Sequence, residues 1–113
     1  MRLRNGDIVL IEVPFHQAAG GKIRPAIVVL DSGDADLIVA PVTSRVRGTE
    51  FELNLAEWRA AGLNVPSAVR LDKLATLSKA DVRRVAGRLL PGDIAQMDER
   101  LCAAYCRDQR RRG

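Results

Sequence analysis

Aromatic residues are scarce in this chain of 113 residues: they make up 4% of it, as two Phe, one Tyr and one Trp. So few aromatic rings provide little surface for stacking bases, which disfavours a protein that binds single-stranded nucleic acid mainly by stacking. The chain also lacks a long hydrophobic run. No stretch reaches the 18 or so apolar residues that a transmembrane helix needs, so we expect no membrane partner.

Cysteine and histidine are nearly absent. Cys102 and Cys106 lie four residues apart in a predicted helix, a spacing that suits disulfide geometry poorly, and His16 is the single histidine. No second cysteine pair completes a zinc site, so we expect neither a metal nor another cofactor. The two thiols are interpreted as small, buried or half-buried apolar groups.

The start of the chain lacks the apolar segment of a signal peptide, because it moves directly into a strand-like run after Asp7. We therefore expect a cytoplasmic protein. The length fits one domain, residues 1–113. The net charge is +4 and the isoelectric point is near 9.7, which favours an acidic or polyanionic partner. Part of the excess charge comes from arginines in residues 107–113, which we expect to form a frayed basic tail.

Apolar and β-branched runs predict a mostly β fold. Strands are predicted at residues 8–13, 26–30, 37–42, 51–55, 67–72 and 74–77, and a strand is favoured over a helix at 82–89. The segment Phe15–Ile23 is predicted to be a loop, and Ala56–Ala61 a short helix closed by Gly62. Apolar residues at helical spacing after Pro91 predict a C-terminal amphipathic helix.

Because the first three strands are almost entirely apolar, their sheet must be covered on both faces or curl around itself. The pattern as a whole therefore predicts a small, strongly curved β-barrel of the mostly β, α+β class, with a short helix and a C-terminal amphipathic helix.

A cation and a carboxylate lie two residues apart in the segment Val69-Arg70-Leu71-Asp72. If the segment is a strand, Arg70 and Asp72 share one face, with their Cα atoms roughly 6.5–7 Å apart. Both side chains are then close enough to act on one phosphodiester. A solvated ion pair on a strand is the alternative interpretation.

Four segments in order resemble the MazF/PemK toxins across nearly the whole chain: residues 6–9 (GDIV), 24–29 (RPAIVV), 40–44 (APVTS) and 69–72 (VRLD). The resemblance implies an SH3-like barrel of the CcdB/MazF type and a homodimer. It also implies the toxin of a type II toxin–antitoxin system, an endoribonuclease that cleaves single-stranded RNA without a metal. A cognate antitoxin protein would neutralise it.

The resemblance also implies site residues. Arg24, Thr43, Arg70 and Asp72 correspond to catalytic positions, and Ser44 to a substrate-binding one. His16 has an uncertain counterpart in the first loop of some members, because the stretch from His16 to Arg24 is longer here. The remaining substrate-binding candidates, near these positions, are Gln17, Lys22 and Arg45. Leu10 replaces a tryptophan that is frequent in the family.

RNA cleavage through its own 2′-hydroxyl requires a base, an acid and positive charge on the phosphorane. Our hypothesis is that Asp72 is the base, while Arg24 and Arg70 stabilise charge. A water or His16 would protonate the leaving 5′ oxygen, giving a cyclic phosphate and a 5′-hydroxyl. Thr43 and Ser44 would donate hydroxyl hydrogen bonds, and a Ser/Thr turn that closes the strand is the alternative.

Two other functions are compatible with the same barrel, because fold alone does not determine function. One is a toxin of the CcdB kind, which binds DNA gyrase without cleaving nucleic acid. The other is a non-catalytic RNA-binding barrel, whose affinity would depend strongly on salt.

Overall fold

Seven strands form one curved antiparallel sheet in the computed structural model, which describes residues 1–14 and 21–112, and the side chains of residues 1–12 and 22–106. The strands are β1 (Asp7–Pro14), β2 (Gly21–Leu30), β3 (Asp36–Thr43), β4 (Glu52–Asn54), β5 (Ala68–Arg70), β6 (Ala75–Ser78) and β7 (Val82–Arg88). The helices are α1 (Trp58–Ala61) and α2 (Pro91–Arg112), and a 3₁₀ turn spans Lys79–Asp81.

The strand order is β4-β5-β3-β2-β1-β7, with β6 also paired to β3. The long strand β3 produces the curvature, because one of its edges is shared by two strands. Its first half pairs with β6, where Ile38 is opposite Thr76, and its last residues pair with β5, where Val42 is opposite Val69. This confirms the predicted mostly β, curved architecture with a C-terminal helix.

Both faces of the β1–β2–β3 region are covered, as its continuous apolar strands require. Side chains of one parity, including Ile8 and Ile27, join the core that contains Met97 of α2. Side chains of the other parity, including Val9 and Val28, form a second core on the opposite face. Because successive side chains of a strand point to opposite faces, the same three strands contribute to both apolar cores.

Two glycines allow the short helix α1 to lie directly on β7. Gly62 ends α1 in the left-handed conformation, with φ of 109°. A Cβ atom on Gly87 would lie 1.9 Å from the carbonyl oxygen of Ala61, so the backbones approach more closely than any side chain permits. The predicted helix closed by Gly62 is confirmed.

The strand at β7, favoured over a helix, is also confirmed. The Ser78 hydroxyl accepts the Ala80 N–H at 3.1 Å, so it caps only the 3₁₀ turn that precedes β7. Strand β2 begins at Gly21, so the end of the predicted loop Phe15–Ile23 is strand instead. Cross-strand pairing with β1 extends it, with Lys22 opposite Val13.

The C-terminal helix α2 extends beyond the residues whose apolar spacing predicted it. The backbone of residues 107–112, for which we expect a frayed tail, continues the helix to Arg112. Cys102 is exposed and Cys106 is half-buried, so the expectation of a buried or half-buried thiol is wrong for Cys102. Among the described helices, none is both long and apolar enough to cross a membrane.

Candidate active site

A cavity of about 370 Å³ lies on one face of the sheet, where β2, β3 and β5 meet. Three of the residues expected to be catalytic, Arg24, Thr43 and Arg70, line it together. The rest of its wall is mainly apolar and includes Ile11 and Leu77. We call this the arginine cavity. Residues that are far apart in the sequence are thus brought to one place by three different strands.

Two prolines explain why the sheet opens at this point. The pairing of β2 with β3 extends from Leu30 opposite Ile38 to Ala26 opposite Pro41. Pro25 is the next residue of β2 beyond this last pair. Proline has no N–H to donate to a ladder. Beyond Ala26–Pro41, β3 pairs with β5 through its other edge. Arg24 and Thr43 occupy corresponding positions on β2 and β3 just beyond this last pair, so their side chains reach the same opening.

Arg70 carries an unsatisfied polar atom. It is the last residue of β5 and is half-buried, and its Nε is buried with no hydrogen-bond partner in the part of the chain that the structure describes. An unpaired buried donor is costly unless another group supplies an acceptor. Arg70 also lines the arginine cavity, so the exposed part of its half-buried side chain can place positive charge beside an anion bound there.

Thr43 has a structural partner as well as a place in the cavity. Its Oγ1 accepts the N–H of Arg45 at 3.0 Å. This hydrogen bond forms the Ser/Thr turn that was the alternative interpretation of Thr43 and Ser44. It also holds the Thr43 hydroxyl oxygen in one orientation. The hydroxyl oxygen is therefore preorganised at the end of β3 by the residue two positions later.

Asp72 does not share a strand face with Arg70, so that prediction is wrong. Strand β5 ends at Arg70, and the next residues turn away: the Leu71 N–H donates to the Phe51 carbonyl at 2.9 Å, and the Lys73 N–H donates to Arg70 at 3.3 Å. Asp72 is exposed and does not line the cavity. Among the described side chains Arg70 and Asp72 form no ion pair within 4.0 Å, so the alternative of a strand ion pair is wrong too.

The substrate-binding candidates are distributed differently. Ser44 lines a second cavity, described below, whereas Lys22 and Arg45 are exposed and line neither cavity. His16 and Gln17 lie outside the described residues. Of the three candidates whose side chains the structure describes, Ser44 is the one that lines a cavity bordering the arginine cavity.

The second cavity, of about 250 Å³, lies on the opposite face of the sheet. Arg24, Pro25 and Val42 line both cavities, so the β2–β3 opening forms their common edge. Arg84 of β7 also lines the second cavity, and sequence reasoning assigned it no functional role. The sequence did show that Arg84 alternates with Val85 along the predicted strand and therefore lies on the opposite face. It did not show which residues of other strands lie beside Arg84 on that face.

The charge of the arginine cavity is entirely positive. Among the described residues that line it, the charged ones are Arg24 and Arg70, and none is a carboxylate or a histidine. Across the same part of the chain, no group of three or more His, Cys, Asp and Glu side chains is positioned to hold a metal ion. The cavity is therefore suited to hold an anion by hydrogen bonds and charge.

Comparison with known proteins identifies relatives of the same kind. The model of the family described as "PemK-like, MazF-like toxin of type II toxin-antitoxin system" matches residues 4–105. A protein named Endoribonuclease MazF3 from Mycobacterium tuberculosis is 31% identical over 96 residues, covering 81% of this chain and 91% of the relative. A probable endoribonuclease MazF from Mycolicibacterium smegmatis is 27% identical over 103 residues, covering 88% and 93% of the two chains.

Solved structures agree with these relatives. The Mycobacterium tuberculosis toxin MazF-mt6 superimposes with a TM-score of 0.72 at 26% identity, covering 88% of this chain and 95% of the toxin. A mycobacterial endoribonuclease solved in complex with its cognate antitoxin gives a TM-score of 0.76 at 16% identity, covering 92% and 95% of the two chains, and this likeness supports the fold alone.

Proposed function

The chain belongs to the PemK-like, MazF-like toxin family of type II toxin–antitoxin systems, and on that premise we propose that it is a metal-independent endoribonuclease that cleaves single-stranded RNA. The observation that carries the proposal is the convergence of Arg24, Thr43 and Arg70 on one cavity. The similarity to relatives named endoribonucleases supports the reaction class.

In the proposed reaction, the 2′-hydroxyl of one nucleotide attacks the adjacent phosphorus. A bond forms between the 2′ oxygen and phosphorus, and the bond to the 5′ oxygen of the next nucleotide breaks. The products are a 2′,3′-cyclic phosphate and a 5′-hydroxyl. Arg24 and Arg70 stabilise the negative charge that develops on the phosphorane, because a guanidinium keeps its positive charge and can donate to two phosphate oxygens at once.

The arginine cavity supplies a specific partner for that charge. Arg70 is half-buried and lines the cavity, so its guanidinium would donate to a non-bridging phosphate oxygen through an N–H group that is accessible from the cavity. The Thr43 Oγ1 accepts the Arg45 N–H, and its hydroxyl lies 3.4 Å from the Arg45 carbonyl oxygen. The hydroxyl would turn from that carbonyl to donate a hydrogen bond to a second phosphate oxygen. We propose that these two contacts position the phosphate for in-line attack.

Proton transfer requires groups at the edge of the cavity, since no carboxylate or histidine lines it among the described residues. Asp72 stays our proposal for the base that accepts the 2′-hydroxyl proton, because it is an exposed carboxylate in the turn directly after Arg70. His16 or a water molecule would give a proton to the leaving 5′ oxygen.

Substitution in the arginine cavity tests the site. Arg24→Ala and Thr43→Ala should each lower the cleavage rate of an end-labelled single-stranded RNA by about 10²-fold or more, as the loss of one transition-state donor does elsewhere. Thr43→Ser keeps the hydroxyl and should retain most of the activity. Arg59→Ala removes the same charge from α1, where Arg59 lies over Trp58, and should cleave like the wild type.

Thermal unfolding of each variant shows whether the fold is intact. Wild-type cleavage rates in folded Arg24→Ala and Thr43→Ala would contradict the site assignment. RNA that stays intact with the wild-type chain would contradict the enzyme itself. Inhibition of gyrase supercoiling would then indicate a CcdB-like toxin, and RNA binding without cleavage a non-catalytic barrel.

The chemistry is tested on the RNA side. Replacement of the 2′-hydroxyl by hydrogen at the cut position should abolish cleavage there, while the same replacement elsewhere should not. Cleavage should also persist in excess chelator. Undiminished cleavage of the 2′-deoxy substrate would exclude attack by the 2′-hydroxyl.

We also propose a homodimer and a cognate antitoxin, both supported by family membership. An acidic, partly disordered antitoxin segment suits a chain of net charge +4 whose arginine cavity holds two guanidinium groups. Sedimentation should give about twice the 12.4 kDa chain mass. The protein from an adjacent acidic reading frame should inhibit cleavage, and a chain that sediments as a monomer in its active form would contradict the dimer.

A further inference from the structure

We infer that the second cavity binds an unpaired nucleobase of the RNA, that of a nucleotide next to the scissile phosphate, and that Arg84 recognises the edge of this base. The inference rests on the proposed RNA cleavage and specifies how the substrate would be chosen. It is carried by the size of the cavity, by the side chains around it and by its common edge with the arginine cavity.

The floor of the second cavity is a row of side chains across neighbouring strands. Arg84 of β7 is opposite Leu10 of β1, and Leu10 is opposite Pro25 of β2. Val42 occupies the corresponding position on β3 and lines the same cavity. Three side chains of this row, Leu10, Pro25 and Val42, are apolar, so they offer a surface against which the face of a base can pack.

The wall is formed by the segment between α1 and β5, and its polar groups are available. The Asn64 amide, the Ser44 hydroxyl and the Arg84 guanidinium all line the cavity, and within the described part of the chain none of them has a hydrogen-bond or ion-pair partner. By contrast, the Ser67 hydroxyl is already bonded to the Val65 carbonyl at 2.8 Å. An apolar floor with a few free polar groups at its border is the usual composition of a site for a planar heterocycle.

The size of the cavity limits the ligand. At about 250 Å³ it lies below the range of roughly 300–1,000 Å³ that holds drug-sized ligands. A single base is therefore a better match than a whole nucleotide or a folded RNA element. A phosphate group alone could use the Arg24 and Arg84 guanidinium groups, but it would leave the apolar surface of Leu10, Pro25 and Val42 uncovered, so a base is the better match.

Arg24 connects this cavity to the proposed chemistry, since it lines both cavities. An RNA strand that crosses the edge formed by Arg24 and Pro25 can place its phosphate in the arginine cavity and the neighbouring base in the second one. Arg84 carries only donors, so it requires acceptors on the base edge, such as the N7 and O6 atoms of guanine. Asn64 can donate and accept.

Neighbouring Arg83 provides a matched control. It has the same charge and lies next to Arg84 on β7, but it forms an ion pair with Glu12 and lines neither cavity. The loss of Arg83 and the loss of Arg84 change the net charge equally. Any difference between the two variants in base preference therefore comes from the position of the guanidinium rather than from charge.

The test is end-mapped cleavage of a randomised single-stranded RNA pool by the wild type, Arg84→Ala, Asn64→Ala and Arg83→Ala. Arg84→Ala should reduce the wild-type base preference at one position next to the cut by about 5- to 150-fold, the usual effect of one side-chain contact to a base. Preferences at all other positions should stay unchanged. Asn64→Ala should relax the same position less, and Arg83→Ala should reproduce the wild-type profile.

A second measurement changes the RNA instead of the protein. An RNA with an abasic nucleotide at the identified position should be cleaved by the wild type more slowly than the intact RNA, and the same change should slow Arg84→Ala less than it slows the wild type. A uniform loss of cleavage for every sequence would show that Arg84 contacts phosphate, and an unchanged profile would show that it has no role. Either result overturns this inference while the cleavage itself stands; an RNA left intact by the wild type overturns both proposals.

Discussion

The hydroxyl of Tyr105, in α2, donates a 2.6 Å hydrogen bond to the carbonyl oxygen of Leu71. Leu71 begins the turn after β5, and its own N–H donates to the Phe51 carbonyl at 2.9 Å. The turn is thus attached to the helix on one side and to the segment before β4 on the other. Because Arg70 and Asp72 flank Leu71, the helix contributes to the position of both proposed functional groups.

Tyr105→Phe removes this hydrogen bond and leaves the ring in place. We expect a loss of about 1 kcal/mol in the free energy of unfolding, typical of one such bond. The cleavage rate should fall by up to about 10²-fold, because a small displacement of Asp72 or Arg70 misaligns the reaction. The measurements are thermal unfolding and single-turnover cleavage. Cys102→Ser, at an exposed position on the same helix, is the control. If Tyr105→Phe is less stable but cleaves RNA at the wild-type rate, Tyr105 has a structural role only.

Asp72→Asn tests the proposed base directly. The cleavage rate should fall by about 10²- to 10⁴-fold, the usual contribution of a general base. The melting temperature should not change, because Asp72 is exposed and has no ion pair among the described side chains. Asp81→Asn, at an exposed position in the 3₁₀ turn, serves as the control. A full rate in Asp72→Asn would assign the base elsewhere.

Two glycine substitutions should differ sharply in stability. In Gly87→Ala the new Cβ would lie 1.9 Å from the carbonyl oxygen of Ala61, so α1 must move away from β7. We expect a loss of about 1–3 kcal/mol or more in the free energy of unfolding. Gly92→Ala in the first turn of α2 meets no atom within 4 Å and should be neutral or stabilising by up to about 1 kcal/mol. Equal denaturant midpoints would contradict this account of the α1–β7 contact.

The order and type of the strands could be predicted from the sequence, because each depends on local alternation and on Gly and Pro positions. The strand at β7 is an example, since Val85, Gly87 and Leu89 follow a period of two. The positions of Arg24 and Thr43 came from the family resemblance. Their convergence on one cavity depends on the pairing of β2, β3 and β5, which no local pattern contains.

Other features could not be predicted, because long-range hydrogen bonds determine them. Alternation places Glu52 on the solvent face of β4, yet it is buried, and its Oε1 accepts the N–H groups of Arg47 and Gly48 at 2.7 and 2.9 Å. Asp93 is also buried, because its carboxylate accepts two N–H groups just before α1, those of Ala56 and Glu57. In each case a carboxylate enters the protein to satisfy backbone donors that would otherwise lack partners.

Asp31 shows the same principle and predicts a pH dependence. Its carboxylate accepts the N–H groups of Leu3 and Gly33, both at 2.8 Å, and forms an ion pair with Lys79 at 2.9 Å. These contacts, the Leu3 N–H first and the Lys79 side chain next, lower the pKa of Asp31 well below its ordinary value of 3.8. A lowered pKa in the folded state means that the ionised carboxylate stabilises the fold at neutral pH, and that this contribution declines as the pH falls below about 4.

Asp31→Asn should therefore melt at a lower temperature than the wild type at pH 7, and the difference should shrink steadily between about pH 4 and pH 2. The control is Asp36→Asn, because Asp36 is exposed at the start of β3, and it should track the wild type at every pH. Differential scanning calorimetry across this pH range measures both. A deficit in Asp31→Asn that stays constant with pH would show that the stabilisation comes from shape and packing, because only the loss of an ionised group depends on proton concentration.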